Sequence, residues 1–92
     1  MEDYTKYPQQ IEDRIPEEWG KWVSVPESWY PVVNLLDEMI AFYAPDYVVH
    51  QVKEKFSGLR YYISYESIPD EHREKIDGFI RYAEGYSCLV RP

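Results

Sequence analysis

Lys53, Lys55 and Arg60 crowd into one short segment beside Tyr62, in a chain whose formal net charge is -7. Amines and a guanidinium next to a tyrosine ring are suited to hold an anionic surface, through charge-assisted hydrogen bonds and stacking. Trp19 and Trp22 form a second candidate contact, because indoles contribute heavily to binding once they leave water. These six residues are the candidate partner-binding set. The groups that could carry catalysis are sparse. Ser57 sits in Phe-Ser-Gly without a nucleophile elbow, Gly58 opens no phosphate loop, and neither HExxH nor CxxC occurs. His50 and His72 read as a packed imidazole and a solvated one, and Glu54 as a structural carboxylate at the rim of a sheet. Catalytic residues, metal ligands and cofactors are therefore each read as none, and the chain is not read as an enzyme.

The cations need a frame to stand on. Residues 47–56 and 59–66 are rich in β-branched and aromatic side chains and flank Ser57-Gly58, which reads as a two-residue hairpin turn. That turn sets Phe56 opposite Leu59, Glu54 opposite Tyr61, Val52 opposite Ile63 and His50 opposite Tyr65. The other face then pairs Lys55 with Arg60, Lys53 with Tyr62 and Gln51 with Ser64, and it is basic. Like charges directly opposed destabilise a hairpin, so acids of the N-terminal segment (Glu12, Asp13, Glu17, Glu18), Glu54 or a partner must balance them.

A lone hairpin is marginal in water and its apolar face must be covered. One helix is predicted from an N-cap at Ser28 to Ala44-Pro45, with Val32, Leu36, Met39, Ile40 and Tyr43 facing the core and Asn34, Asp37 and Glu38 facing water. A second is predicted over 69–86, capped by Ser67, with Ile76, Phe79, Ile80 and Ala83 as its buried stripe. The fold expected is α+β: two helices packed on one face of an antiparallel hairpin, in the order α-β-β-α. Residues 1–25 read as an extended aromatic arm with one helical turn after Pro16, tied down by Trp19 and Trp22. Residues 26–92 read as the single domain.

With 92 residues, 45% of them hydrophobic and 29% charged, the composition is that of one globular domain. The single cysteine, Cys88, closes no internal disulfide, which fits a reducing cytoplasm. No stretch approaches the length of a membrane span, so no membrane insertion is expected. The acidic balance repels nucleic acid at long range and makes it a poor partner. An unpaired hairpin edge leaves a homodimer open, by edge-to-edge pairing into a four-stranded sheet.

Residues 51–62, Gln-Val-Lys-Glu-Lys-Phe-Ser-Gly-Leu-Arg-Tyr-Tyr, resemble the QVKEKFGGLRFY-like core of a family of small uncharacterised proteins from bacteriophages and prophages. Trp29-Tyr30-Pro31-Val32 is similar to the family's Trp-x-Pro-Leu segment, and Ala83-Glu84 with Ser87 to its A-E-x-x-S stretch. Many members continue into a CxxCG pair that looks like half a metal ribbon; that part is missing here, where Cys88 stands alone. The resemblance implies a phage origin and carries no reaction with it. The function expected is a phage-encoded accessory protein that binds and modulates a host protein in the host cytoplasm, with a coiled-coil scaffold of polar growth or division as one such target. The alternative is an inhibitor that imitates nucleic acid and blocks a host nuclease, defence system or polymerase.

Overall fold

The computed structural model describes residues 3–89; residues 1–2 of the expected arm and 90–92 of the expected domain lie outside the described residues. Elements follow the chain as α1 (Gln9–Glu12), β1 (Val23–Ser24), α2 (Tyr30–Tyr43), β2 (Val49–Lys55), β3 (Gly58–Ile63) and α3 (Asp70–Ser87), with 3-10 turns at Glu17–Trp19, Glu27–Trp29 and Tyr65–Ser67. The class is α+β, as expected, but the sheet has three strands in the order β1-β2-β3. β1 runs parallel to β2, pairing Val23 with Val52 and Ser24 with Lys53, and β3 runs antiparallel. The expected α-β-β-α order is corrected accordingly.

The segment before residue 26 supplies that third strand and part of the core. Ile11, Ile15 and Val23 are buried, while Trp19 and Trp22, the expected tethers, stay exposed. Branched aliphatic side chains fill the gap beside the helices, which leaves the larger indoles at the surface. Tyr7 holds the two-residue strand in place: its hydroxyl donates to Glu12 Oε1 at 2.7 Å and accepts the Val23 N–H at 3.1 Å. Burial, and then the Glu12 bond, push the Tyr7 phenol up to about 12.

α2 is turned relative to the expected face. Val33, Asn34, Leu36, Asp37 and Ile40 are buried, whereas Met39 is exposed and Val32 only half-buried. The cause is the N-terminal segment, which offers the polar side of the helix its partners. Asn34 donates to the carbonyls of Tyr4 and Lys6 at 2.8 and 2.9 Å and accepts from Gln10 at 2.7 Å. Arg14 Nε donates to Asp37 Oδ1 at 2.8 Å, and its guanidinium lies 4.5 Å from the centre of the Tyr47 ring. Tyr47 donates to the same Asp37 oxygen and shares a 2.6 Å bond with the Tyr61 hydroxyl. A buried carboxylate needs this many donors, so Asp37 acts as the knot between segment, helix and hairpin. Burial first, then the facing Tyr61 and Asp37, push the Tyr47 phenol well up; burial likewise raises Tyr61.

The helix starts also differ from expectation. Ser28 lies inside the 3-10 turn that leads into α2, and α2 has no side-chain cap bond. Ser67 does not cap α3: its hydroxyl accepts from Val48 N–H at 3.0 Å and donates to the Ser64 carbonyl at 2.6 Å. On α3, Ile76, Ile80 and Ala83 are buried as expected.

The hairpin turns one residue early. Phe56 and Ser57 both take positive φ, 55° and 64°, as the two central residues, so Lys55 pairs with Gly58. The pairs become Glu54 with Leu59, Lys53 with Arg60, Val52 with Tyr61 and Gln51 with Tyr62. A slide of two residues preserves the pleat, so the strand residues 51–55 and 59–63 keep their expected faces, while Phe56 moves from the apolar face into the exposed turn. A register irregularity between Val49 and Gln51 ends this: Val49 meets Ile63 and turns inward, and His50 leaves the apolar side expected for it.

Candidate functional site

Val23, Val49, Val52, Leu59, Tyr61 and Ile63 are buried, on the face of the sheet that meets the helices. No side chain on the opposite face is buried. It presents Ser24, Gln51, Lys53, Lys55, Arg60 and Tyr62, with Lys53 and Arg60 directly opposed across the ladder. Trp19 and His50 stack at 4.4 Å between ring centroids, nearly parallel at 10°, where the irregularity turns His50 outward. Trp22 leans on Tyr7 at 5.8 Å, and Tyr7 in turn meets Tyr30 edge-on.

Of the six candidate residues, the sheet brings Lys53, Arg60 and Tyr62 onto one surface, with Lys55 at its turn end. The tryptophans flank β1 separately: Trp19 reaches this surface through His50, and Trp22 rests on the Tyr7 cluster. Among the described residues no carboxylate stands within ion-pairing distance of Lys53, Lys55 or Arg60. The contrast with the other described arginines is sharp. Arg14 holds Asp37, Arg73 holds Asp70 and Arg81 holds Asp77. Among the described residues Arg60 donates only to the carbonyl of its neighbour Leu59, at 3.0 Å. Of the acids expected to neutralise the patch, Glu12 and Asp13 are engaged elsewhere, Glu12 accepting from Tyr7 and Gln9 and Asp13 from Gln9, and Glu17, Glu18 and Glu54 form no ion pair with it among the described residues.

Both lateral edges of the hairpin are occupied. β1 covers β2 at Val52 and Lys53. Along the outer edge of β3, Ser87 Oγ accepts the Leu59 N–H and Glu84 Oε2 the Tyr61 N–H, each at 3.0 Å. The hydroxyl of Ser87 also donates to the Glu84 carbonyl at 2.6 Å. The Ala83-Glu84-x-x-Ser87 spacing thus puts two acceptors, three residues apart on α3, over two outward N–H groups two residues apart on β3. Edge-to-edge pairing would have to displace them.

Sequence reasoning missed a second surface. The sides of α2 and α3 away from the sheet enclose an apolar groove of about 350 Å³, lined by residues such as Leu35, Met39, Phe79, Tyr82 and Tyr86. The signal was present: Val32, Leu35, Leu36, Met39 and Phe42 spread apolar surface around more of the helix than one core contact uses. A polar cleft of about 640 Å³ lies between the N-terminal segment and α2, near Asp3, Gln9, Asn34 and Glu38. Its amide donors are spent on the contacts that hold the segment down.

Among the described residues no cluster of three or more His, Cys, Asp or Glu could hold a metal ion, and no helix is long and apolar enough to cross a membrane. No family model, curated protein or solved structure matches the chain.

Proposed function

We propose that this chain is a small acidic accessory protein, encoded by a phage, that works in the host cytoplasm by holding an acidic surface of a host protein against the outer face of its sheet. The reading is one of association without catalysis. The observation that carries it is the clustering of Lys53, Lys55 and Arg60 on one sheet face, with Lys53 and Arg60 directly opposed, and the lack at Arg60 of the carboxylate that Arg14, Arg73 and Arg81 each have. Cations held side by side without counter-ions cost stability in the free protein, and that cost is relieved when an anionic partner arrives. Tyr62 and the stacked Trp19–His50 pair add flat aromatic contact at the same surface. A net charge of -7 favours protein carboxylates over the dense phosphates of nucleic acid as the counter-surface. The phage origin rests on the resemblance of residues 51–62.

An inhibitor that imitates nucleic acid has less support, because several of its would-be phosphate mimics are already bonded within the chain. Asp37 and Glu84 hold the fold together, and Asp77 pairs with Arg81.

The experiment is parallel capture from host extract with the natural chain and with the Lys53→Glu/Arg60→Glu variant, alongside fluorescence anisotropy with a labelled DNA duplex. The reading expects a protein retained by the natural chain, released by added salt and lost on charge reversal, with no DNA binding. Retention indifferent to charge reversal contradicts it, as does tight binding to the duplex.

A further inference from the structure

The groove between α2 and α3 is the outer part of a larger apolar face. Leu35 is 47% exposed, Met39 37%, Phe42 81%, Tyr82 78% and Tyr86 45%. At about 200 Å² for a fully free large side chain, these five leave about 600 Å² in water, close to the roughly 800 Å² per partner that a stable interface covers. That is also the upper end of what soluble monomers leave uncovered.

We infer that a second copy of this chain covers the face, forming a two-fold dimer in which α2 of each protomer packs against α3 of the other. Two features favour a second copy. The area on offer nearly matches what each half of a stable two-fold dimer needs. Close approach is also open, since a Cβ added at Gly78 or Gly85, which bracket Tyr82 on α3, would meet nothing within 4 Å. Pairing along the outer edge of β3 is blocked by Ser87 and Glu84, which removes one competing route of self-association.

Pairing the helical layers leaves the two sheets outermost, their cationic faces pointing away from each other. The dimer itself stands independently of the function proposed above. Its consequence, a binder that presents its partner site twice and gains by avidity, rests on that reading.

Sedimentation velocity of the full chain from micromolar to millimolar concentration tests the dimer. The natural chain is expected to shift reversibly from its 11.1 kDa monomer to twice that mass. Leu35→Asp and Tyr82→Asp, both at exposed positions, are each expected to weaken association about 30-fold or more with unchanged circular dichroism. Arg60→Glu on the sheet face is expected to leave it unchanged, which separates this inference from the proposed function. A monomer at every concentration overturns it. So does growth past the dimer, or a dimer that neither groove variant weakens.

Discussion

Lys53 and Arg60 face each other directly across the β2–β3 ladder, and neither has a carboxylate partner among the described residues. A cross-strand pair of opposite charge is worth about 0.2–1 kcal/mol, and a like pair is unfavourable. Arg60→Glu is therefore expected to raise the free energy of unfolding in urea by about 0.5 kcal/mol while abolishing partner capture. A variant both weaker and still binding would show that Arg60 serves the fold.

Ser87 is buried and takes the N–H of Leu59, itself buried. Removing the hydroxyl strands a donor away from water, which costs about 1–3 kcal/mol. Ser87→Ala should lower urea stability by that amount. Glu84→Gln, which keeps an acceptor for Tyr61, should cost less than Glu84→Ala. Equal losses for the two Glu84 variants would remove the edge-capping role.

The turn carries two side chains in the left-handed region, Phe56 and Ser57, and Phe56 is 87% exposed. Type I′ turns favour Asn-Gly because those residues tolerate positive φ, and each unsuited residue costs about 1–2 kcal/mol. Phe56→Asn with Ser57→Gly should raise the melting temperature, with the strand register unchanged by NMR. A lower melting temperature would mean that the Phe56 ring, which sits 5.6 Å from Lys55 Nζ, contributes more than the turn geometry costs.

Alkaline pH should loosen the knot at Asp37. Tyr7, Tyr47 and Tyr61 are each raised above their ordinary value, chiefly by burial. A phenol raised by folding contributes stability that is complete below its unfolded value near pH 10 and declines as pH climbs toward the folded value. For Tyr7 the decline runs from about 10 to about 12. Tyrosinate absorbance should therefore show a late-titrating class that appears together with loss of circular dichroism. Phenols that all ionise near pH 10 in a folded chain would contradict this.

Much of the hairpin was legible because Val52, Leu59, Tyr61 and Ile63 alternate with Gln51, Lys53, Arg60 and Tyr62, and alternation assigns faces even when the turn is misplaced. Ser-Gly carries the stronger turn signal, so the sequence alone could not point to Phe56-Ser57. The two residues of β1 are too few for any periodicity. Ile11 and Ile15 stand among polar neighbours and give no helical stripe, so their burial appears only once Arg14 and Asp37 are seen to meet. Asp37 and Asn34 read as a solvent face because polarity usually marks one, and it fails where a neighbouring segment supplies every partner. The cationic patch was readable from pleat parity; the apolar surface of α2 is also in the sequence, but a single buried face for that helix places Met39 and Val32 in the core and hides the groove.

The account depends most on the outer sheet face being a contact surface. The direct measurement places a photoreactive amino acid at Tyr62 and cross-links it in host cells, with and without Lys53→Glu/Arg60→Glu. A discrete adduct with a host protein that vanishes on charge reversal, in a chain that remains folded, is the predicted result. An adduct that persists with both cations reversed, or its complete absence from the natural chain, would contradict it.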